Sequence, residues 1–145
     1  MSHRIDFFKA CPGGVKTMLA VEEYVATSTI ERPLAELVKL RASQINGCAY
    51  CVNMHVRDAR KGGETAQRLD TLVAWRETPF FTKRERAALA WTEALTLVAT
   101  TQAPDSAYEA ARAEFSDAEL ADLTLLIGAI NLWNRIAVGF RKPLD

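Results

Sequence analysis

Four residues whose types and spacing suit redox chemistry lie close together in the sequence: Glu36, Cys48, Cys51 and His55. Cysteines at positions i and i+3 can close into a disulfide and reopen. A histidine four residues after the second cysteine lies on the same face of a helix. A carboxylate twelve residues before the first cysteine can orient that histidine if the chain doubles back between them. A thiol pair, an imidazole and a carboxylate are the groups needed to form a thiolate at neutral pH.

The elements that must position these residues are two helices joined by a turn at Asn46-Gly47. Helical spacing of apolar residues predicts one helix over Pro33–Asn46 and a second over about Cys48–Arg60. If the two are antiparallel, depth below the turn follows from a rise of about 1.5 Å per residue. Glu36 then lies about 15 Å below the turn and His55 about 12 Å below it, so that their side chains can hydrogen-bond.

The same geometry orders the four residues, from the buried end outward, as Glu36, His55, Cys51 and Cys48. Cys48 is expected at the surface, at the end of this relay. Because Cys51 faces the imidazole, the relay favours Cys51 as the attacking thiolate. The dipole at the N-terminus of the second helix favours Cys48 instead. The sequence therefore leaves open which cysteine attacks first.

Length and composition exclude several classes of protein. The 145 residues fit one domain, residues 1–145, and 18 basic residues balance 18 acidic ones. Nucleic acid and anionic membranes are therefore poor partners. We find no apolar stretch of the roughly 18–20 residues that a transmembrane helix needs, and no signal-peptide pattern. Three cysteines in such a chain indicate redox or metal chemistry, and we expect a cytoplasmic location.

Helical spacing of apolar residues recurs along the chain, while alternating strand patterns are missing. Two further helices begin with explicit capping boxes, Thr82-x-x-Glu85 and Ser116-x-x-Glu119. The sequence therefore predicts an all-α domain of about seven helices. Outside the hairpin, the predicted helices begin at Pro12, Glu64, Thr82, Pro104 and Ser116.

Other interpretations of the same residues remain open. A Cys-x-x-Cys pair also occurs in structural zinc sites, but neither Glu36 nor Cys11 lies at a usual spacing for a further ligand, so we expect no metal. Glu36 could instead complement the dipole of its own helix. Tyr50 is a possible auxiliary group beside the thiols or a surface residue. His3 lies in a terminus that we expect to be frayed.

Three segments of the chain resemble the AhpD-like alkylhydroperoxidases of the carboxymuconolactone decarboxylase superfamily. The resemblance covers nearly the whole chain, and it implies an AhpD-like helical bundle that assembles into homotrimers or homohexamers. The matching segments are Leu37–His55, Phe80–Leu89 and Asn131–Arg135.

The resemblance also implies roles for individual residues. The functional residues of the family match Glu36, Cys48, Cys51 and His55. The residue before the second cysteine is a histidine in the best-known members and Tyr50 here, which puts an auxiliary proton-transfer role at this position in doubt. The decarboxylase branch lacks the cysteine pair, and this argues against that activity.

Motif and resemblance together predict a thiol-dependent peroxidase that reduces organic hydroperoxides or hydrogen peroxide. Cys48 and Cys51 would form the redox disulfide, which a dithiol donor, a thioredoxin-like or lipoyl protein, would reduce. No metal or organic cofactor is required. One alternative is a protein disulfide oxidoreductase. Another is a non-redox member of the same fold, either lactone-processing or metal-binding.

The apolar content of the chain predicts a subunit interface. Hydrophobic residues make up 49% of the sequence, and a domain of this size has limited core for so many large side chains. Leu40, on the far side of its helix from Leu37, and the Phe80-Phe81 pair are the clearest candidates for the contact. We expect a homotrimer or, preferably, a homohexamer built from it.

Overall fold

The computed structural model describes residues 2–144, in which helices are joined by short turns and no strand occurs. The helices are α1 Phe7–Ala10, α2 Pro12–Ala26, α3 Arg32–Ile45, α4 Ala49–Lys61, α5 Ala66–Thr71, α6 Lys83–Thr96, α7 Val98–Thr101, α8 Asp105–Arg112 and α9 Asp117–Phe140. A 3-10 helix, Leu72–Glu77, follows α5 directly. The all-α prediction is confirmed. The two helices beyond the predicted seven, α1 and α7, have four residues each and are too short to show a period in the sequence.

The helix boundaries follow the local signals in the sequence. The side chains of Thr82 and Ser116 cap α6 and α9, and both predicted capping boxes are complete. Between α3 and α4 the chain reverses at Gly47, whose φ of 65° lies in the left-handed region that favours glycine. The predicted helical hairpin is therefore present.

Helix α3 is the centre of the fold and packs against α4, α6 and α9. Because neighbours cover it on several sides, the face of α3 opposite Leu37 is also core. Leu40 is fully buried in a cluster with Trp75 and Leu89, and Phe81 belongs to the same cluster. The prediction that Leu40 and Phe81 cover a subunit contact was therefore wrong, whereas for Phe80, which is only partly buried, it stays a prediction.

Helix α9 is apolar on more than its inner face. By length and composition alone it could span a membrane, so the prediction that no apolar stretch reaches that length was wrong. Asn131 and Asn134 interrupt the apolar run, but they are too few to lower its average below that of a membrane helix. A core helix passes the same test, and the inner face of α9 packs against α2, α3 and α6. The composition of α9 is therefore weak support for a membrane location.

A network of amide side chains ties the hairpin turn to α9. The side-chain amide of Asn46 donates hydrogen bonds to Oδ1 of Asn131 at 3.0 Å and to Oδ1 of Asn134 at 2.9 Å. Asn134 in turn donates to Oγ of Ser43 at 3.0 Å. The backbone N–H of Cys48 donates to the carbonyl of Ser43, also at 3.0 Å. The position of Cys48 is therefore fixed by α3 and α9 together.

Candidate active site

Cys48 and Cys51 lie at the N-terminus of α4 and form a disulfide. Cys48 is the N-cap residue, and its Sγ accepts a hydrogen bond from the backbone N–H of Cys51 at 3.3 Å. The Cα atoms of the two residues are 5.3 Å apart, within the range of protein disulfides. The structure thus contains the Cys-x-x-Cys disulfide that the spacing predicts.

Both cysteines are buried, each with 2% of its surface exposed. They pack against Ala137 of α9, with Tyr50 alongside. The prediction that Cys48 lies at the surface was wrong, because the turn before it is held under α9 by the amide network. Helix rise gives the depth of a residue within the hairpin but not the third helix that covers the turn.

Glu36 of α3 and His55 of α4 meet as predicted, with Nδ1 of the imidazole 3.0 Å from a carboxylate oxygen. Burial alone would raise the pKa of Glu36, but the hydrogen bond and charge of His55, with Lys39 and Arg32 nearby, lower it below its ordinary value. Glu36 is therefore ionised at neutral pH. An ionised carboxylate can only accept, so Nδ1 of His55 donates the bond, and a proton gained or lost by the ring is carried by Nε2.

The second ring nitrogen of His55 is buried without a partner. Only 5% of the residue is exposed, and Nε2 has no hydrogen bond to any residue in the range 2–144. Buried polar atoms are nearly always paired, so an unpaired one needs a chemical reason. His55 lies one helical turn after Cys51, and both line the same cavity. The free nitrogen is therefore suited to a reacting group in that cavity.

The cavity beside Cys51 has a volume of about 440 Å³. Cys51 lines it, together with Glu36 and His55, whereas Cys48 is not among the lining residues described. Most of its wall is apolar or aromatic. The apolar and aromatic lining comprises Ile5, Phe7, Phe8, Leu19, Tyr50, Met54, Ile130, Trp133, Ile136, Ala137, Phe140 and Pro143.

Both ends of the chain form part of the cavity wall, which the sequence analysis missed. The ring of Phe7 stacks on Phe140 with centroids 6.1 Å apart, and Phe8 stacks on Trp133 at 6.2 Å. The backbone N–H of Arg4 donates to the carbonyl of Phe140 at 3.0 Å. A short segment without periodicity carries no sequence signal for such packing. The adjacent pair Phe7-Phe8 was the one available clue.

Tyr50 lies beside the thiols, as one of its two interpretations predicted. It lines the cavity, packs near the cysteine pair and lies under the ammonium group of Lys142. Its auxiliary role stays a prediction. His3, which is exposed, also lines the cavity, and the frayed terminus stays a prediction.

Asp58, one turn after His55, was also missed by the sequence analysis. Glu36, His55 and Asp58 each offer one possible metal-ligating atom, and these atoms lie within 4.8 Å of one another. Asp58 carries no motif in the sequence, since it is one of several charged residues on the outer part of α4.

Comparison with known proteins places the chain in a family. Residues 12–94 match the carboxymuconolactone decarboxylase family. YdfG, an uncharacterized protein of Bacillus subtilis (strain 168), is 44% identical over 138 residues, which cover 95% of this chain and 94% of YdfG. ATU0492 of Agrobacterium tumefaciens, a protein of unknown function for which an AhpD antioxidant defence role is suggested, superposes with a TM-score of 0.96. It is 49% identical, and the match covers 99% of each chain.

The fold is shared more widely than these close relatives. The debrominase Bmp8 superposes with a TM-score of 0.83 at 17% identity, covering 95% of this chain and 74% of Bmp8, which shows the fold alone. The family match spans more than half of the chain and includes Glu36, Cys48, Cys51 and His55. The chain therefore belongs to the carboxymuconolactone decarboxylase family, and its fold is that of the AhpD-like alkylhydroperoxidases.

Proposed function

We propose that the protein is a thiol-dependent peroxidase that reduces organic hydroperoxides through Cys48 and Cys51. The main support is the hydrogen bond of 3.0 Å between Glu36 and Nδ1 of His55. It leaves the buried Nε2 of His55 without a partner, one helical turn from Cys51. A base, a thiol and a cavity for the substrate therefore lie in one place.

In the reduced protein, Nε2 of His55 accepts the proton of the Cys51 thiol. The positive end of the α4 dipole stabilises the resulting thiolate. The thiolate attacks one peroxide oxygen, the O–O bond breaks, and Cys51 becomes a sulfenic acid. The leaving alkoxide takes the proton from His55 and departs as the alcohol. Cys51 is assigned as the attacking residue because it lines the cavity and Cys48 does not.

The thiol of Cys48 then attacks the sulfenic sulfur of Cys51, releases water and forms the disulfide. A dithiol donor opens this disulfide through a mixed disulfide, and its second thiol completes the exchange. Both sulfurs are buried, so the donor must reach below the surface of this subunit. A dithiol on a flexible arm, as in lipoyl proteins, fits that requirement better than thiols on a thioredoxin-like surface.

The cavity wall supports an organic substrate over hydrogen peroxide. Burying apolar surface stabilises a complex by about 2.5 kcal/mol for each 100 Å² removed from water. The aromatic and aliphatic wall offers that gain to an alkyl or aryl group, and hydrogen peroxide has no such group to bury. Reduction of such peroxides is an antioxidant activity. A reducing compartment such as the cytoplasm would regenerate the thiols between turnovers.

The alternatives have less support. A protein disulfide oxidoreductase must meet the disulfide of a folded protein, and the burial of both cysteines opposes such a contact. No particular contact favours a lactone as the substrate. The fold shared with the debrominase Bmp8 does not transfer its activity, because one fold hosts many chemistries.

The proposal can be tested by mixing the reduced protein with cumene hydroperoxide or hydrogen peroxide in a stopped-flow instrument, followed by mass spectrometry. We expect one Cys48–Cys51 disulfide per peroxide consumed and an advantage for the organic peroxide of about tenfold or more. Cys48→Ser should trap a sulfenic acid on Cys51, and Cys51→Ser should be inert. Cys11→Ser is the matched control. Full multiple turnover by either of the first two variants would overturn the proposal.

A further inference from the structure

We propose that the reduced protein binds a thiophilic divalent cation, with Zn²⁺ as the first candidate, through Sγ of Cys48, Sγ of Cys51 and Nε2 of His55. The Cys48–Cys51 disulfide removes this site. Two thiolates and one imidazole are typical zinc donors, and three protein ligands leave a fourth position for water. The site would therefore exist in only one of the two redox states of the protein.

The cysteine pair has the backbone geometry that such a site needs. The disulfide shows that the two side chains can turn their sulfurs toward one point from Cα atoms 5.3 Å apart. Tetrahedral Zn²⁺ with Zn–S bonds of about 2.3 Å holds two sulfurs roughly 3.8 Å apart. Side-chain rotation after reduction provides that separation. The two-residue spacing of the pair is also that of zinc-binding Cys-x-x-Cys motifs.

His55 is already oriented as a metal-binding histidine. Its Nδ1 donates to Glu36 at 3.0 Å, which fixes the ring and makes Nε2 the nitrogen that can bind a metal. Metal-bound histidines usually donate their other N–H to a carboxylate or carbonyl in this way. Nε2 itself is buried and has no partner among residues 2–144. The ring lies one helical turn from Cys51, which is the spacing at which side chains on a helix meet.

The cavity offers an entry path for a cation. Cys51 and His55 both line it, so an ion that enters comes close to two of the three proposed ligand residues. Four carboxylates face this cavity, against two ammonium groups. Each of these carboxylates already lies within salt-bridge distance of a lysine or of His55, so the affinity for a cation must come from the two thiolates and the imidazole. The carboxylates are those of Asp6, Glu22, Glu36 and Asp58, and the ammonium groups are those of Lys39 and Lys142.

Binding of the ion releases the protons of the two thiols and forms two Zn–S bonds and one Zn–N bond. Bound Zn²⁺ would occupy Nε2 of His55 and reduce the nucleophilicity of both sulfurs. Zinc binding and attack of the Cys51 thiolate on a peroxide would therefore exclude each other. If the proposed peroxidase function holds, one hydroperoxide and two protons convert the zinc dithiolate into the disulfide, the alcohol, water and free Zn²⁺. This last consequence rests on the proposed function, whereas the binding itself does not.

Asp58 offers a competing site that the experiment must separate. A cation held by Glu36, His55 and Asp58 would use oxygen and nitrogen donors and would not need the thiols. A cation coordinated by Nδ1 of His55 would have to displace the hydrogen bond of this nitrogen to Glu36. The thiolate site keeps the hydrogen bond and uses the free nitrogen.

The test is a Co²⁺ titration of the full chain, reduced with dithiothreitol and desalted under nitrogen. We expect one Co²⁺ per chain, a thiolate-to-cobalt charge-transfer band in the near ultraviolet, and d–d bands with the intensity of four-coordinate cobalt. Zn²⁺ should displace the cobalt. Protein oxidised to the disulfide should show none of these bands. Cobalt binding without a charge-transfer band, equal binding by the oxidised protein, or no binding would each overturn the proposal.

Variants identify the ligands. Cys48→Ser and Cys51→Ser should each remove about half of the charge-transfer intensity per bound cobalt, because one of the two thiolates is lost. Glu36→Gln should weaken binding by roughly 10- to 100-fold, the range for a carboxylate that supports a metal-bound histidine. Asp58→Asn is the matched control and should leave the charge-transfer spectrum unchanged. Loss of the spectrum in Asp58→Asn, or its retention at full intensity in Cys48→Ser, would also overturn the proposal.

Discussion

The ammonium nitrogen of Lys142 lies 4.6 Å from the ring centroid of Tyr50, so the segment after α9 is held against a side chain that packs on the cysteine pair. The same nitrogen lies 4.8 Å from the ring centroid of Phe8 in α1. Lys142 thus links α1 near the N-terminus with the segment after α9 and with Tyr50 beside the cysteine pair. Each such cation–π contact contributes on the order of 0.5–1 kcal/mol at an exposed site.

We expect Lys142→Ala and Phe8→Ala to speed the reduction of the disulfide. These substitutions remove about 1–2 kcal/mol of contact between the terminal segments beside the cysteine pair. The population of molecules in which these segments are detached should then rise by roughly 5- to 30-fold. The rate of reduction by excess dithiothreitol, followed by alkylation and mass spectrometry, measures this effect. Lys16→Ala, a substitution of an exposed lysine on α2, is the control. An unchanged rate in both variants would show that the terminal segments do not limit access.

The relay predicts a specific pattern in the variants of Glu36 and His55. Glu36→Gln and His55→Ala should each slow oxidation of Cys51 by roughly 10- to 1000-fold, as expected when a general base is lost or misoriented. The double variant should be little slower than His55→Ala alone, because the two residues act as one unit. Stopped-flow rates with cumene hydroperoxide provide the measurement. Losses that multiply in the double variant would mean that the residues act independently.

The pKa of Glu36 makes part of the stability depend on pH. This pKa lies below its ordinary value of 4.5 in the folded protein, so ionised Glu36 stabilises the fold above pH 4.5. The contribution is lost as the pH falls through the folded-state pKa. The free energy of unfolding of the wild type minus that of Glu36→Gln should therefore shrink in acid. Urea denaturation across a pH series measures it, and a difference that grows on acidification would contradict the assignment.

Oligomerisation remains a prediction. Because Leu40 and Phe81 lie in the core, we now expect the subunit contact on another surface. The outer face of α9 exposes Leu125 and Leu132, beside a groove that also includes Tyr108. We expect light scattering to give several times the chain mass of 16.1 kDa, as in a trimer or hexamer. Leu125→Glu with Leu132→Glu should lower that mass. Val73→Glu is the control, since Val73 lies exposed on the 3-10 helix. A monomeric wild type would refute the prediction.

The sequence predicted the contacts that depend on one or two helices. The meeting of Glu36 and His55 follows from helix rise and a glycine turn, both of which are local properties. The burial of Cys48 and Leu40 depends on α9 and on the 3-10 helix, which are distant in sequence. Helical period assigns a residue to a face but does not show how many neighbours cover it. The pairing of Phe8 with Trp133 lies outside any period and needed the tertiary structure.

The amide bridge between Asn46 and Asn134 limits how far the redox motif can be transplanted. A helical hairpin grafted into another scaffold would keep the spacing of Glu36, Cys48, Cys51 and His55. It would lose the third helix that buries the turn and holds the first cysteine in place. A minimal engineered version therefore also needs a helix that carries an asparagine at the place of Asn134 in α9. The unit to transplant is a three-helix assembly rather than a linear motif.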